Sequence, residues 1–335
     1  VSFSVLDSKN LNKFIAAIAK QARVRGPVAD ASGVILSDIT PRSSVILTYA
    51  NFKLPFKREF FPQCEVISRY DGAAVKEESS DNNVVVYFGI RPCDAQSIAM
   101  LDKVFVDDKY ADPYFQKRRN NALIISLACN EPAATCFCES TGGGPASKSG
   151  SDVIAYSLKQ SLLFEPVSKK GEDFIKKNAK LFRAPAQKEL QEREKLVSVT
   201  SSKTHAVKID GSRAALAKKT DSSFWDNIAE TCLGCGACTF LCPTCHCFDL
   251  FDEKLGDGSA RLRLHDACMF ASFVKEASGH NPRNKKGERM RQRVMHKFSY
   301  APENFNAVFC VGCGRCISAC PSNIDIRETL AGVIA

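Results

Sequence analysis

One phrase occurs twice in this chain: CLGCGACTFLCP at residues 232–243 and CVGCGRCISACP at 310–321. Aligned without gaps, the copies agree at seven of twelve positions: four Cys, two Gly and the closing Pro. Both read C-x2-C-x2-C-x3-C-P. A loop this tight can wrap three corners of one iron–sulfur cube, while its fourth cysteine reaches across to the next cube. The glycines at 234, 236, 312 and 314 allow positive φ and let backbone N–H groups approach the sulfides. A zinc site would call for paired C-x2-C units or a Cys/His mixture, and gives no reason for the third cysteine or the C-P ending. The repeat therefore specifies two adjacent [4Fe–4S] clusters, the first on Cys232, Cys235, Cys238 and Cys320, the second on Cys310, Cys313, Cys316 and Cys242. Two such clusters in series carry single electrons. Residues 244–309 between the copies form an insertion whose ends the cross-ligation keeps together.

The other cysteines follow the same chemistry. The chain has 335 residues and 16 cysteines, bunched too closely to serve as a scattered disulfide framework, which points to soft-metal ligation in a reducing compartment. The first residues, VSFSVLDSKN, lack the basic and apolar regions of a signal peptide. No apolar run reaches the 18 residues of a membrane span. These features lead to the expectation of a cytoplasmic protein. The net charge of +9 is spread along the chain, which argues against a dedicated nucleic-acid groove.

Residues 1–168 read as an α/β domain. SKNLNKFIAAIAKQA (8–22) puts Leu11, Phe14, Ile15 and Ile18 on one helical face, with Ser8 as the expected cap. VVVYFGI (84–90) and ALIISLA (122–128) are apolar without alternation, as in strands buried on both faces of a parallel sheet. DAQSIAMLDKVF (94–105) between them has helical spacing and Asp94 as the expected cap, giving a βαβ unit. A β region follows at 153–168. Residues 169–223 read as a charged helical connection, with KELQEREKL (188–196) as a solvated helix. The cysteine-rich domain fills 224–335. The whole is α+β: an α/β domain fused to a ferredoxin-like two-cluster domain with a long insertion.

Cys93 in GIRPCDA and Cys129 in SLACNEP follow the two buried strands, at the carboxyl edge where such sheets place ligands. Cys136 and Cys138 follow in TCFC. From the residues alone two readings stand: four thiols holding a third cluster, or ordinary buried cysteines. Arg91 beside them serves either as a counter-charge to a cluster or as a local cap. Cys245, His246 and Cys247 in CPTCHCFDL and Cys268 in HDACMF are candidate extra iron or metal ligands; packing and hydrogen bonding beside the second cube is the preferred reading. Cys64 reads as structural.

Residues 281–297 carry seven Lys/Arg and one acid, Glu288. A solvated face is the default reading, a docking face for an acidic partner the functional one. Nucleic acid ranks third for want of interleaved aromatics. No dinucleotide or P-loop signature and no nucleophile elbow occurs, so no catalytic residue is assigned. TGGGP (141–145) remains a candidate flavin or phosphate loop.

GIRPCDAQSI (89–98), CNEPAATCFC (129–138), CPTCHCFDLFDE (242–253), GHNPR (279–283), RQRVMHKFSY (291–300) and CVGCGRC (310–316) resemble one family. It comprises the iron–sulfur beta subunits of cytoplasmic nickel–iron sulfhydrogenases, with related subunits in anaerobic sulfite reductase (its A subunit) and heterodisulfide-reductase-linked complexes. The resemblance runs from about residue 85 to the end; His265 departs from it, standing where the family favours tryptophan. It implies a third [4Fe–4S] cluster on Cys93, Cys129, Cys136 and Cys138. It also implies an electron-transfer subunit of a multisubunit oxidoreductase, partnered by a flavoprotein carrying FAD and NAD(P)H, with the flavin on that partner, and by hydrogenase or other reductase subunits. Two alternatives remain at this stage: a catalytic iron–sulfur or flavin reductase, and a nucleic-acid module with structural clusters.

Overall fold

The computed structural model describes residues 3–71, 74–77, 83–107, 109–221, 223–256 and 258–334. Its strands are β1 (Ser4–Asp7), β2 (Arg23–Asp30), β3 (Gly33–Asp38), β4 (Cys64–Asp71), β5 (Ala74–Glu77), β6 (Val85–Ile90), β7 (Ala122–Leu127), β8 (Val153–Ser157), β9 (Ser161–Pro166), β10 (Phe248–Leu255) and β11 (Gly258–His265). The chain divides into two compact units. The first holds Val1–Phe56, Asn82–Ala206 and Val311–Cys313; the second holds Lys57–Asp81, Val207–Cys310 and Gly314–Ala335.

In the first unit seven strands form one sheet in the order β1-β9-β8-β7-β6-β2-β3. The four central strands run parallel, β2 with β6, β6 with β7 and β7 with β8; the outer pairings are antiparallel. Every residue of β7 is buried, as expected of a strand covered on both faces. The βαβ unit read from the sequence is present, with two helices in the crossover, α2 (Pro92–Phe105) and α3 (Pro113–Asn120).

Helix α1 (Leu11–Ala19) buries Phe14, Ile15 and Ile18 in a core that also takes Val86, Phe88, Leu123, Ile125 and Phe164. The Phe14 ring meets those of Phe88 and Phe164 at 6.0 and 5.5 Å between centroids. Burying one such ring is worth about 1.5–3 kcal/mol. Two expected caps differ. Ser8 lies in a 3-10 turn, and Asn10 precedes α1. Asp94 lies inside α2, which starts at Pro92 because proline has no N–H to satisfy at a first helical position.

The stretch 169–223 is not a separate connector: residues 169–206 pack with the first unit and 207–223 with the second. Helix α4 (Lys169–Lys177) lies over β9, and α5 (Gln187–Ser201) contains the expected helical run. Residues 57–81, expected in the first domain, belong to the second unit. The reason is strand pairing: β4 pairs with β11 and β5, and β11 with β10, giving the sheet β10-β11-β4-β5. The insertion is thus a hairpin completed by strands from the first quarter of the sequence, a long-range pairing that local patterning does not reveal. Among the described residues no helix is long and apolar enough to cross a membrane.

Candidate iron–sulfur sites

In the first unit Cys93, Cys129, Cys136 and Cys138 line one cavity. Strands β6 and β7 end at its rim, which places Cys93 at the start of α2 and Cys129 in the loop beyond β7. The TCFC segment is brought over by backbone bonds: Cys136 N–H donates to Ala133 O at 2.9 Å, and Phe137 N–H to Gly312 O at 2.8 Å. The TGGGP loop is a wall of this cavity through Gly144 and Pro145. Cys129 N–H donates to Pro145 O at 2.7 Å and Gly143 N–H to Cys138 O at 3.1 Å, so the loop's backbone is spent on the cysteines.

Two partners were not legible in the sequence. Asn51 Nδ2 donates to Cys313 O at 2.8 Å, and the Cys93 thiol lies 3.7 Å from Asn51 Oδ1. Gly312, at φ +60°, is pressed against the TCFC backbone; a Cβ there would come within 2.5 Å of the Phe137 carbonyl and 2.6 Å of Cys138 Cα. Close approach to protein, as well as to sulfide, demands that glycine.

Arg91, fully buried, also lines the cavity. Its Nη1 donates to Leu127 O at 3.2 Å and Ala128 O at 3.1 Å, its Nη2 donates to Tyr49 O, and its guanidinium lies 3.7 Å from the Tyr49 ring centroid. Of the roles read for it, local pairing is present: it ties the strand ends through Leu127 O and Ala128 O, and its charge pulls down the Cys129 thiol. Burial, then the neighbouring Cys136 and Cys129, pushes Cys138 up to about 12. Burial likewise raises Cys129, against the pull of Arg91. Two thiols of the set that resist ionising, Cys129 and Cys138, fit a cationic iron core that would take them as thiolates.

The two cysteine runs fold alike, though residues 311–313 of the second run are grouped with the first unit. Gly236 and Gly314 take left-handed conformations, and each opens a short helix, Ala237–Phe240 and Arg315–Ser318, which pack on each other. Ser322 Oγ donates to Thr231 O at 2.7 Å, tying the end of the second run to the start of the first, as cross-ligation by Cys320 would require. Backbone donors aim at sulfur: Gly234 N–H lies 3.4 Å from Cys232 Sγ, and Ile324 N–H 3.2 Å from Cys320 Sγ. Cys235 is exposed. Cys238 is raised by burial first, against Arg293, and by Cys316, Cys232 and Cys242. Cys313 is described with the first unit.

The extra cysteines influence one another in two pairs, Cys242 with Cys245 and Cys247 with Cys268. Cys242 is held well below the usual thiol range, first by the bond from the Cys245 thiol and then by Lys297 and Lys57; Cys245 is raised correspondingly. Cys247 is lowered to about 7 by Cys268, which is raised in turn. The Lys297 ammonium 3.0 Å from Cys242 Sγ favours a thiolate there, the state a ligand needs. Among the described residues no three Cys, His, Asp or Glu side chains converge on a single metal ion; a cube, by contrast, offers separated iron corners. His246 Nδ1 lies 3.0 Å from Thr244 O, a hydrogen-bonding neighbour. Cys64 is exposed at the start of β4 and does not serve the core.

The basic stretch departs most from expectation. The helix Lys286–Met295 and the π-helical turn His296–Tyr300 that continues it bury Arg289, Arg293 and Lys297. The spacing i, i+4, i+8 puts the three on one face, and that spacing was the available signal. Lys297 Nζ lies 3.0 Å from Cys242 Sγ, 3.4 Å from Cys245 Sγ, 3.2 Å from Thr244 Oγ1 and 3.1 Å from Phe309 O. Burial opposes its charge, yet Cys242, Cys245 and Cys310 hold it well above the usual lysine range. Lys57 Nζ, also fully buried, donates to Cys245 O at 2.7 Å and lies 3.2 Å from His265 Nε2. Burial lowers Lys57 to about 8, and burial and Lys57 lower His265 to about 3. His265 is thus neutral and accepts at Nε2.

A 4Fe-4S dicluster domain matches residues 231–324 of the chain. Among known proteins, the chain is 32% identical to sulfhydrogenase 2 subunit beta of Pyrococcus furiosus over 331 residues, covering 97% of this chain and 96% of that one.

Proposed function

Starting from a chain that belongs to the sulfhydrogenase beta-subunit family and carries a 4Fe-4S dicluster domain, we propose a three-cluster relay within a multisubunit oxidoreductase. The chain is an iron–sulfur electron-transfer subunit; the proposal concerns its wiring. The first cube is held by Cys232, Cys235, Cys238 and Cys320, the second by Cys310, Cys313, Cys316 and Cys242, and a third by Cys93, Cys129, Cys136 and Cys138. At one end the relay exchanges electrons with a flavoprotein subunit carrying FAD and using NAD(P)H, and at the other with a second redox centre in a hydrogenase or reductase subunit. The domains are the α/β cluster unit and the dicluster unit, and the setting is the reducing cytoplasm.

The observation that carries this reading is the convergence of Cys93, Cys129, Cys136 and Cys138 on one cavity with Arg91 at its wall. Iron–sulfur cubes supply reversible one-electron chemistry. This chain's residues hold them, exclude water from the buried thiols and set the surrounding charge. Addition of NAD(P)H to the assembled complex under anaerobic conditions is expected to bleach the cluster absorbance of this subunit. The isolated chain is expected to show no flavin absorbance and no response to NAD(P)H. A flavin spectrum or NAD(P)H reduction in the isolated chain would move the reading to a catalytic reductase.

A further inference from the structure

Buried cations in folded proteins are normally paired, because an uncompensated charge away from water costs several kcal/mol. The second unit obeys this rule at Arg263, whose guanidinium meets Glu65 with both side chains almost fully buried. It breaks the rule at Lys297 and Arg293, 2% and 4% exposed. Every hydrogen-bond partner of the Lys297 ammonium is a thiol, a hydroxyl or a carbonyl. The Nε of Arg293 is buried without a partner, and the groups that act on the guanidinium are Cys238, Cys316, Cys245 and Cys242. Among the described residues, cysteines, a hydroxyl and a carbonyl act on these two buried positive charges.

The two differ in what they face. Cys238 and Cys316, the third cysteines of the first and second runs, are the thiols that most hold Arg293 up against its burial, so its charge is shared by the two runs. Lys297 Nζ lies 3.0 Å from Cys242 Sγ and 3.4 Å from Cys245 Sγ, and Cys242, assigned to the second cube, is its nearest thiol. Among the first cube's cysteines, Cys232 and Cys320 receive backbone donors from Gly234 and Ile324, and Cys235 is open to solvent. A cube becomes more negative by one charge when it accepts an electron. A fixed positive charge beside it therefore stabilises the reduced form more than the oxidised form and raises the reduction potential. Burial strengthens the effect on the side where Lys297 stands, and water weakens any such effect at Cys235.

We propose that Lys297 is the potential-setting residue of the second cube. Its buried ammonium, donating to Cys242, holds that cube at a higher reduction potential than the first, while Arg293 supplies a charge that the two cubes share. The second cube is then the electron well of the dicluster unit, and the first is its lower-potential neighbour. Lys57, donating to Cys245 O, adds a smaller contribution in the same direction. The inference rests on the cluster assignments given under the proposed function.

The test is EPR-monitored potentiometry of the full chain, anaerobically reconstituted, as wild type, Lys297→Met and Lys297→Arg, with iron counted on each sample first. The step belonging to the second cube is the one missing from Cys310→Ser. Lys297→Met is expected to keep its iron and to lower that step by at least a tenfold change in the one-electron equilibrium, about 59 mV. The first cube's step should move far less, and Lys297→Arg should restore the wild-type value. A second-cube step that stays in place in Lys297→Met with iron retained overturns the proposal while leaving the clusters standing. A wild-type chain with no step lost in Cys310→Ser would instead overturn the cluster assignment. Should Lys297→Met lose a cluster, Lys297→Gln decides: a downward shift of the same step upholds the proposal, and an unmoved step overturns it.

Discussion

The two copies of the cysteine phrase share spacing and local fold but meet different surroundings. Leu233, second in the first copy, is 71% exposed, whereas Val311, its counterpart, is 1% exposed. Cys235 is exposed and Cys313 is buried. In the first copy a Cβ on Gly234 would touch only Met269 O, at 3.9 Å; in the second a Cβ on Gly312 would overlap Phe137 and Cys138. A duplicated ligand loop has thus become an outward-facing element in one copy and an inward-facing one in the other. Identical ligand sets in unlike environments are how a chain makes two clusters unequal, since burial, charge and hydrogen bonds to sulfur set the potential.

The glycines should break this pairing most sharply. Gly312→Ala combines the left-handed backbone cost with a clash against fixed backbone and should destabilise the protein by about 2–5 kcal/mol, with loss of cluster iron. Gly234→Ala should cost only about 1–2 kcal/mol. Thermal unfolding with iron analysis separates the two, and equal effects would erase the distinction. Next come the apolar positions. Val311→Asp buries an unpartnered carboxylate and should cost about 3–5 kcal/mol, whereas Leu233→Asp should stay within about 0.5 kcal/mol. Denaturant midpoints report both.

Acid should weaken the buried side of the dicluster unit. His265 is held down to about 3 by burial and Lys57, while the unfolded chain takes up its proton near 6.5. Its neutral form is therefore compatible with the fold above that pH, and stability is lost as pH falls from about 6.5 towards 3, at up to about 1.4 kcal/mol per pH unit. The acid limb of a urea-midpoint profile should be shallower in His265→Gln; an unchanged limb would show that His265 does not carry it. The smallest contrast concerns metal loss. A chelator with mild oxidant should remove iron from the exposed first cube before the buried second, followed as sequential loss of EPR signals.

Much of this was legible in the residues. The spacing of the repeated phrase specified the dicluster module, and the unalternating runs at 84–90 and 122–128 specified a parallel βαβ unit that carries Cys93 and Cys129 to one sheet edge. What the residues hid were relations over long separations. Residues 57–81 read as part of the first domain because nothing local tells β4 that its partner is β11, nearly two hundred residues on. The run 281–297 read as a solvated or docking face because charge usually lies outside; its four-residue spacing of Arg289, Arg293 and Lys297 was the overlooked sign of an inward stripe. Asn51 carries no motif of its own, and for Gly312, a member of the repeated phrase, only the packed backbone shows the contact with Phe137 and Cys138.

The central claim is a third cluster in the first unit, joined to the duplicated pair. Iron and acid-labile sulfide per chain, measured anaerobically on wild type and on Cys136→Ala, test it most directly. The account predicts ~12 iron atoms in wild type and ~8 in the variant. A count of ~8 in both would contradict it and leave a two-cluster protein in which Cys93, Cys129, Cys136 and Cys138 hold no iron.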